Sequence, residues 1–502
     1  MPGLNYASLE QVSGWRFLAH RLGVAIGRRN VRLVHDPSKN ARASLLVGSV
    51  AAVVVVALSF LVAIIKPIGQ VGHERMLADR ASGEIYVDVD GVLHPALNLA
   101  SARLLTGQPD TPHQVPITEI RKVPIGPTVG IPGAPNDLSI RAPADTGWAL
   151  CDRLGSTGSQ VVPRVAVLAG LPTLGDWAQT LIAPRSVLMG YGGDVLVVTD
   201  GHRSLIDLGD KAVTLALGLP VGDLHPAPMS KALYEALAPA APLRVPDIPN
   251  PGGPVGYSTP DVPVVAGSVL RVADVSGEPQ YFVALPAGIQ RVPATVAEMI
   301  LNAGIAGQAM AAKSAVIATL PQAVGFDNSV YPPGHIQLVD KTDEPVTCVM
   351  WRKAAGEPRA QITTISGRRL PIPMGDEDRV VRLVQGGEGG SADEVYIGHD
   401  AANWVQVTGV EPASTRAESL WLITDTGVRF GVPTGGLAGG DQQTRQALGL
   451  SAAPAPAPWT VIRWLPAGSE LSKAAALTEH DTLAPDQAAA ALPTKTAGTE
   501  GN

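Results

Sequence analysis

The sequence predicts an α+β protein, in which a single N-terminal transmembrane helix precedes an exported region with a central β-rich domain and four strand-turn-strand-helix repeats. Two patterns predict this class: an uncharged apolar run early in the chain, and a strand-turn-strand-helix pattern that recurs after it. A chain of 502 residues is too long for one ordinary hydrophobic core, so several domains are expected. The 54 glycines and 44 prolines indicate many short elements joined by turns. A net charge of −7 gives no support for nucleic acid as the main partner.

Residues 1–42 are predicted to form a cytoplasmic, basic and amphipathic arm. Large apolar side chains recur at helical spacing, with arginines on the opposite side. These apolar residues are Trp15, Leu18, Leu22 and Ile26. Ser13 is the expected N-cap. Such a helix is expected to lie on the inner membrane face or to pack against a cytoplasmic partner, and a solvated arm with incidental periodicity is the third interpretation.

The segment 43–65 reads ASLLVGSVAAVVVVALSFLVAII and contains neither a charge nor a proline. As a helix with a rise of about 1.5 Å per residue it covers roughly 34 Å, which is enough to cross a bilayer. A buried helix of a soluble core is disfavoured by the length of the uninterrupted apolar run. A cleaved signal peptide is disfavoured because Lys66-Pro67 follows without a small-x-small cleavage site. The segment is therefore predicted to be a single-pass anchor.

The charges beside this segment predict its orientation. The basic residues that precede it are Arg16, Arg21, Arg28, Arg29, Arg32, Lys39 and Arg42. The residues after it carry mixed charge. Because lysine and arginine are retained on the cytoplasmic side, the N-terminus is predicted to be cytoplasmic and the bulk of the chain to be exported.

The recurring pattern consists of a strand, a glycine turn, a second strand and a helix that ends at glycine. It occupies residues 85–107, 196–219, 281–304 and 421–450. The turns differ, with VDG, TDG, PAG and TDTG, whereas a catalytic loop would keep its polar residues. Asp200 and Asp425 are therefore interpreted as turn formers in a structural module. Residues 460–477 are expected to supply the last strand and helix of the fourth copy.

Strand-like runs between the repeats predict a central domain built from two parts of the chain, and an Ala/Pro/Thr/Gly-rich end predicts a disordered tail. The predicted division is an arm 1–42, a transmembrane helix 43–65, a first repeat 66–120, a central domain 121–189, a second repeat 190–255, a third repeat 256–323, a second central part 324–394, a fourth repeat 395–483 and a tail 484–502.

The chain contains two cysteines, Cys151 and Cys348, and both follow the apolar segment. An oxidising compartment permits a disulfide between them, for which the chain-entropy model gives roughly 5 kcal/mol of stabilisation. Two buried free thiols are the alternative. One cysteine lies in each part of the predicted central domain, so we expect the two parts to meet there.

The stretch 307–314, GQAMAAKS, is one residue short of the P-loop pattern GxxxxGK[ST], with Gly307, Lys313 and Ser314 as the candidate nucleotide-binding residues. Ala312 replaces the second glycine, whose absence of a side chain lets backbone amides approach phosphate. The stretch also lies in a helical pattern predicted over 295–320, so Lys313 is predicted to be a solvated helix residue. No catalytic residue, metal ligand or cofactor is predicted, because the ten histidines form no HExxH pair and GxSxG is absent.

Several unusual segments, taken in order, resemble one known family. They read QVSGWRFLAHRLGVAIGRRNVRLVHDP, LADRASGEIYVDVDGVLHPALNLASARLLTG, VGIPGAP, WALCD and LSKAAALTEHDTL. They resemble EccB, the membrane-anchored core component of mycobacterial ESX (type VII) secretion systems. The resemblance covers residues 11–483.

The resemblance implies an inner-membrane protein that lies beside the EccC ATPase, EccD, EccE and the mycosin protease, and that contacts other copies of itself. It also implies an elongated periplasmic region with a central domain, four peripheral repeats and a disulfide matching Cys151 and Cys348. An ATPase activity is ascribed to the family. This chain departs from the P-loop pattern at Ala312, where that pattern has a glycine. The favoured function is therefore a structural subunit of the secretion machinery, and the alternatives are a membrane-tethered ATPase and a peptidoglycan-binding module.

Overall fold

The computed structural model describes residues 8–29, 37–65, 74–157, 160–220, 222, 224–273, 278–384, 386, 390–434, 440–486 and 489–491. Within these ranges the side chains of residues 28, 37–42, 62–65, 157, 440 and 441 are not described. Most of the predicted tail and Lys66-Pro67 lie outside the described residues. The chain divides into two compact units, Met1–Gly72 with Val115–Glu119 and His73–Gln114 with Ile120–Asn502.

The first unit contains two long helices, Leu9–Arg28 and Pro37–Ile65. The N-cap of the first is Ser8, whose hydroxyl accepts from the Gln11 amide while the Gln11 side chain accepts from the Ser8 amide. The predicted N-cap, Ser13, was wrong because this reciprocal pair satisfies two amides one turn earlier. The second helix begins before the predicted anchor, since a proline is well tolerated at the first helical position.

In the second unit, the described residues form a seven-stranded central sheet. Its spatial order is Val381–Arg382, Glu394–Ile397, Gln160–Ala169, Thr146–Thr157, Val346–Lys353, Gln361–Gly367 and Ala178–Thr180. Side chains on the fourth of these strands alternate between two cores: Trp148 and Leu150 pack on one face, and Ala149 and Cys151 pack on the other. Burial of both faces explains the continuous apolar run WALC in the sequence.

The four repeats share a plan that is larger than the predicted hairpin and helix. An additional strand precedes each hairpin and pairs antiparallel with it, so each repeat contains a three-stranded meander. In the second, third and fourth repeats, a short strand after the helix pairs parallel with this additional strand. A later segment forms a parallel bridge beside the last meander strand in every repeat. The additional strands were missed because the connections that follow them share no common turn sequence.

The bounds of these elements are as follows. The first repeat contains strands Met76–Asp79, Ile85–Val89, Val92–Ala96 and Thr128–Val129 and the helix Leu99–Thr106. The strand His113–Val115 and the helix Ile117–Ile120 include residues of Val115–Glu119, which belongs to the first unit. The second contains strands Arg185–Tyr191, Asp194–Thr199, His202–Leu205, Ala227–Pro228 and Ala238–Pro239 and helices Lys211–Ala216 and Lys231–Ala236.

The third repeat contains strands Val269–Ala273, Pro279–Leu285, Gly288–Val292 and Met310–Ala311 and helices Ala294–Asn302 and Ser314–Ile317. The fourth contains strands Trp404–Thr408, Leu420–Ile423, Arg429–Val432 and Ala455–Pro458 and helices Gly440–Leu448 and Trp459–Ile462. The other described elements are Gln337–Leu338, the 3-10 helix Glu377–Arg379, the helix Lys473–Ala476 and the strand Glu479–His480.

Strands lie across or beyond the expected domain boundaries at several places. Gln337–Leu338, expected in the second central part, pairs parallel with Arg185–Tyr191 of the second repeat. Arg185–Tyr191 crosses the boundary at 189 and belongs to the sheet of the second repeat. Glu394–Ile397 crosses the boundary at 394 and belongs to the central sheet. Thr128–Val129, expected in the central domain, pairs with the sheet of the first repeat. The amino-acid composition does not change at these positions, so the sequence does not indicate where one domain ends and the next begins.

Two local predictions were wrong. The helix predicted over 295–320 ends at Asn302, because Gly304 adopts φ +72 and a short strand, Met310–Ala311, follows. In residues 460–477, the predicted strand is the helix Trp459–Ile462, and its apolar residues pack into the core on one face of the central sheet. The glycine therefore decides the first of these structures, and tertiary packing decides the second.

The first and fourth repeats share one apolar core. Leu104 and Ile131 of the first repeat pack in the same cluster as Trp404 and Phe430 of the fourth, and all are buried. The second and third repeats contact each other through the helices Lys211–Ala216 and Ala294–Asn302.

A C-terminal strap, residues 471–480, closes the shared core of the first and fourth repeats. Leu471 and Ala476 are fully buried in that core. The strand Glu479–His480 pairs antiparallel with Thr128–Val129 of the first repeat. The end of the chain therefore completes the repeat with which the second unit begins.

Candidate functional sites

The N-terminal helix presents large apolar side chains to solvent. Trp15 is 77% exposed and Ile26 is 75% exposed, and Leu18 and Leu22 are also exposed. Of the predicted orienting residues, Arg16, Arg21 and Arg29 are exposed, Arg32 lies outside the described residues, and the side chains of Arg28, Lys39 and Arg42 are not described. A helix with exposed apolar residues and exposed arginines is suited to a membrane surface or to a partner helix.

The helix Pro37–Ile65 carries the apolar window Ala43–Leu61, with a mean hydropathy of 2.5 and none of the window buried inside the protein. In water such a surface would be strongly unfavourable, at about 25 cal/mol per Å². By length and composition this helix is able to cross a membrane. Among the described residues it is the one helix with that property.

Cys151 and Cys348 lie opposite each other on neighbouring antiparallel strands of the central sheet, at directly paired positions. The structure joins them in a disulfide with an S–S distance of 2.05 Å. Both residues are fully buried. The bridge therefore connects the two parts of the chain that build the central sheet.

The P-loop-like stretch lies where the strand Met310–Ala311 passes into the helix Ser314–Ile317. The amide of Ala312 donates to the carbonyl of Arg271 at 3.0 Å, so it is committed to the sheet of the third repeat. Gly307, Lys313 and Ser314 are exposed, and Lys313 precedes a helix of only four residues. The same strand-to-helix junction occurs in the second and fourth repeats, where Ala227–Pro228 and Ala455–Pro458 precede short helices. The stretch is therefore a structural junction of the repeat.

The two predicted turn formers differ in their contacts. Asp200 adopts φ +45 and Gly201 φ +76, which is the left-handed pair that a tight hairpin requires. Asp425 also lies in a hairpin turn, but its carboxylate additionally pairs with Arg141 at 2.5 Å. Among the described residues, no group of three histidine, cysteine or acidic side chains is arranged to hold a metal ion.

A buried polar cluster that the sequence did not reveal lies beside the disulfide. Asp152 is fully buried, and its two carboxylate oxygens accept from the amide and hydroxyl of Ser230 at 2.7 and 2.6 Å. Thr347 is paired with Asp152 across the sheet, and the Lys341 Nζ donates to the Thr347 hydroxyl at 2.8 Å. An acidic residue that directly follows the apolar run WALC is the only signal that sequence analysis had for this cluster.

Burial dominates the ionisation of this cluster. It raises the pKa of Asp152 to about 7, against the opposing effect of the bonds from Ser230. Burial likewise lowers the pKa of Lys341 to about 8. Because Ser230 is the N-cap of the helix Lys231–Ala236, the cluster fixes the second repeat to the central sheet.

Comparison with known proteins identifies the family. A family model described as type VII secretion system ESX-1, transport TM domain B, matches residues 5–485. The chain belongs to the EccB family. It is 41% identical over 498 residues to the Mycobacterium tuberculosis ESX-5 secretion system ATPase EccB5, covering 98% of this chain and 97% of the relative. It is 37% identical over 501 residues to the ESX-1 secretion system ATPase EccB1 of the same species, covering 99% of each.

Solved EccB structures have the same fold. The chain matches a subunit of an intact ESX-5 inner membrane complex with a TM-score of 0.77 and 38% identity, covering 98% of this chain and 99% of that one. It matches an EccB3 dimer from an ESX-3 core complex with a TM-score of 0.70 and 34% identity, covering 81% and 100%. The resemblance found in the sequence is confirmed, and this EccB protein is a type VII secretion subunit. The curated relatives are named ATPases.

Proposed function

We propose that this chain is a structural inner-membrane subunit of an ESX core complex, with a cytoplasmic arm, one transmembrane helix and a periplasmic second unit. The observation that carries the proposal is the helix Pro37–Ile65, whose apolar window is covered by none of the described residues. Lipid supplies that cover, and a helix satisfies its own backbone hydrogen bonds in lipid. The arginines that precede the window support a cytoplasmic N-terminus.

The proposed partners are the EccC, EccD and EccE membrane components, the mycosin protease and other copies of this chain. Support comes from the relatives, one of which was solved within an ESX-5 inner membrane complex and another as an ESX-3 dimer. The exposed apolar side chains of the N-terminal helix, including Trp15 and Ile26, are available for packing against membrane partners.

The topology is tested by single cysteines on the two sides of the membrane, because both native cysteines are joined in a disulfide. Val324 is 89% exposed in the second unit, and Ser13 is exposed in the arm. In intact spheroplasts, a membrane-impermeant maleimide should label the Val324→Cys variant and should label the Ser13→Cys variant only after lysis. The opposite pattern would refute the orientation.

The complex is tested by extraction in a mild detergent. The chain should migrate in a large assembly together with other membrane proteins. Recovery only as a free monomer, from cells in which secretion is active, would contradict the scaffold function. This result is independent of the labelling experiment, so the proposed orientation and the proposed assembly can be refuted separately.

Nucleotide hydrolysis, the activity in the names of the relatives, is not proposed for the stretch 307–314. The Ala312 amide is already bonded within the sheet, and the exposed Lys313 caps no amide with its side chain. At least one amide of the stretch is thus already committed, whereas a P-loop offers a ring of free backbone amides to phosphate.

A further inference from the structure

The second repeat contains an arginine stacked on paired aromatic rings. The guanidinium carbon of Arg203 lies 3.8 Å from the centroid of the Tyr234 ring. Tyr234 in turn stacks on Tyr191, with ring centroids 4.4 Å apart. The Arg203 Nε also donates to the Tyr234 carbonyl at 2.9 Å. Arg203 therefore combines a cation–π contact with a backbone hydrogen bond.

The fourth repeat has the same arrangement at the equivalent position. Arg429 lies 4.5 Å from the Trp421 ring and 5.0 Å from the Trp459 ring, whose centroids are 6.1 Å apart. Its Nε donates to the Leu465 carbonyl at 3.0 Å. Each of the two arginines stands two residues after the glycine of the hairpin turn, so the meander places them at matching sites.

The fold of the repeat does not require an arginine at this site. In the third repeat the equivalent residue is Gln290, which is buried and makes the matching backbone bond to the Phe326 carbonyl at 2.7 Å. In the first repeat it is Leu93, which is buried and apolar. Glutamine therefore performs the structural role without a charge. The charge and the aromatic stack of the second and fourth repeats need a separate explanation.

The two clusters adjoin one another through the helices Lys231–Ala236 and Trp459–Ile462, which pack together. Across this contact, Arg463 pairs with Glu235 at 3.1 Å, and Lys231 approaches the same carboxylate at 3.7 Å. Burial, followed by the nearby charge of Arg463, lowers the pKa of Arg429. We call the joined clusters the arginine–aromatic strip, comprising Tyr191, Arg203, Lys231, Tyr234, Glu235, Trp421, Arg429, Trp459 and Arg463.

The strip is positively charged in a chain that is negative as a whole. It contains four basic residues and one acidic residue, whereas the net charge of the chain is −7. Stacking covers the aromatic faces with guanidinium groups, which leaves little open ring surface for a sugar. Guanidinium edges with unused N–H groups suit carboxylates, and tryptophan, tyrosine and arginine are the residues that dominate binding at protein interfaces.

We propose that the arginine–aromatic strip is a docking surface for an acidic polypeptide segment of a partner protein. The carboxylates of that segment accept hydrogen bonds from the guanidinium edges, and its backbone lies against Trp459, which is 36% exposed. This surface belongs to the second unit.

The test uses the full chain in detergent and a fluorescein-labelled hexaglutamate peptide, followed by fluorescence anisotropy at low and moderate salt. The wild type should bind saturably, with affinity that falls as salt rises. The double variant Arg203→Gln/Arg429→Gln, which reproduces the third repeat at both sites, should bind about tenfold more weakly. The Arg463→Gln variant, at a partly exposed position, should bind about threefold more weakly even if the double variant folds poorly.

The matched control is Arg291→Gln, which removes one exposed arginine from the third repeat, outside the strip. It should bind within about twofold of the wild type. Absence of saturable binding by the wild type would overturn the proposal. Equal weakening by the control would show a diffuse electrostatic effect and would also overturn it. Competition by chitohexaose that equals or exceeds competition by unlabelled hexaglutamate would identify the strip as a glycan surface instead.

Discussion

Replacement of Cys151 and Cys348 by alanine should destabilise the second unit by about 3 to 5 kcal/mol. The two cysteines are 197 residues apart in sequence. For a closed loop of that size, the chain-entropy model gives about 5 kcal/mol at 25 °C, with measured bridges commonly somewhat lower. The paired strands are hydrogen-bonded on both sides of the bridge, so the native sheet keeps its register without it. The loss therefore arises mainly in the unfolded chain, which gains conformational freedom.

The assay is guanidinium denaturation of the full chain in detergent, followed by tryptophan fluorescence. Trp148 and Trp351 are paired with each other three residues from the bridge, on the two strands that it joins, so they report unfolding of the central sheet. Both cysteines are fully buried, and a reductant alone should leave the folded wild type unchanged. With reductant and denaturant together, the wild type should match the alanine variant. A difference below about 1 kcal/mol, with the wild-type bridge verified by mass spectrometry, would refute the loop-entropy argument.

Three further predictions concern ionisation, nucleotide binding and the shared core. The folded pKa of Asp152 is raised to about 7 from 3.8, so the stability associated with its protonated form is full below pH 4 and is lost as the pH rises to about 7. In urea denaturation, the free energy of unfolding of the wild type should fall by up to about 4 kcal/mol between pH 4 and pH 8, and that of the Asp152→Asn variant should not. The same pH dependence of unfolding in both proteins would contradict this. The Lys313→Ala variant should retain any ATP binding or hydrolysis measured for the wild type, because the exposed Lys313 side chain is not expected to bind phosphate. Loss of ATP hydrolysis in this variant would contradict the prediction. The Phe430→Ala variant should lose about 3 to 5 kcal/mol and expose the first repeat to limited proteolysis, because Phe430 is buried in the core that the two repeats share. If proteolysis of the first repeat is unchanged in this variant, the stability of the first repeat does not depend on the fourth, and the prediction is wrong.

Patterns that depend on neighbouring residues were predictable from the sequence. The anchor was found because its apolar residues form one unbroken run, and the four hairpins because apolar residues alternate around a turn glycine. Each of these signals lies within about twenty residues of sequence. The additional meander strands were missed for the opposite reason. Arg185–Tyr191 is joined to its hairpin by two glycines, whereas Trp404–Thr408 is joined by eleven residues, so no common pattern marks them.

Features that depend on contacts between distant residues were not predictable. Asp152 is bonded to Ser230, 78 residues away, and nothing near either residue in the sequence indicates the pair. The arginine–aromatic contacts require the second helix of each repeat to fold back on the meander, as Arg429 and Trp459 show. The alanine-rich run after Asn302 has high helix propensity, yet Gly304 and the edge of the third-repeat sheet determine its structure.

The C-terminal strap imposes an order on biogenesis. His480 contacts the carbonyl of Gly130, which is 350 residues earlier in the chain, at 2.9 Å. The ribosome therefore completes the first repeat long before it makes the strand that closes it. During synthesis, the first repeat must wait with part of its apolar core uncovered, and only a finished chain shields it. A nonsense mutation or proteolytic nick before residue 471 would therefore damage the opposite end of the second unit.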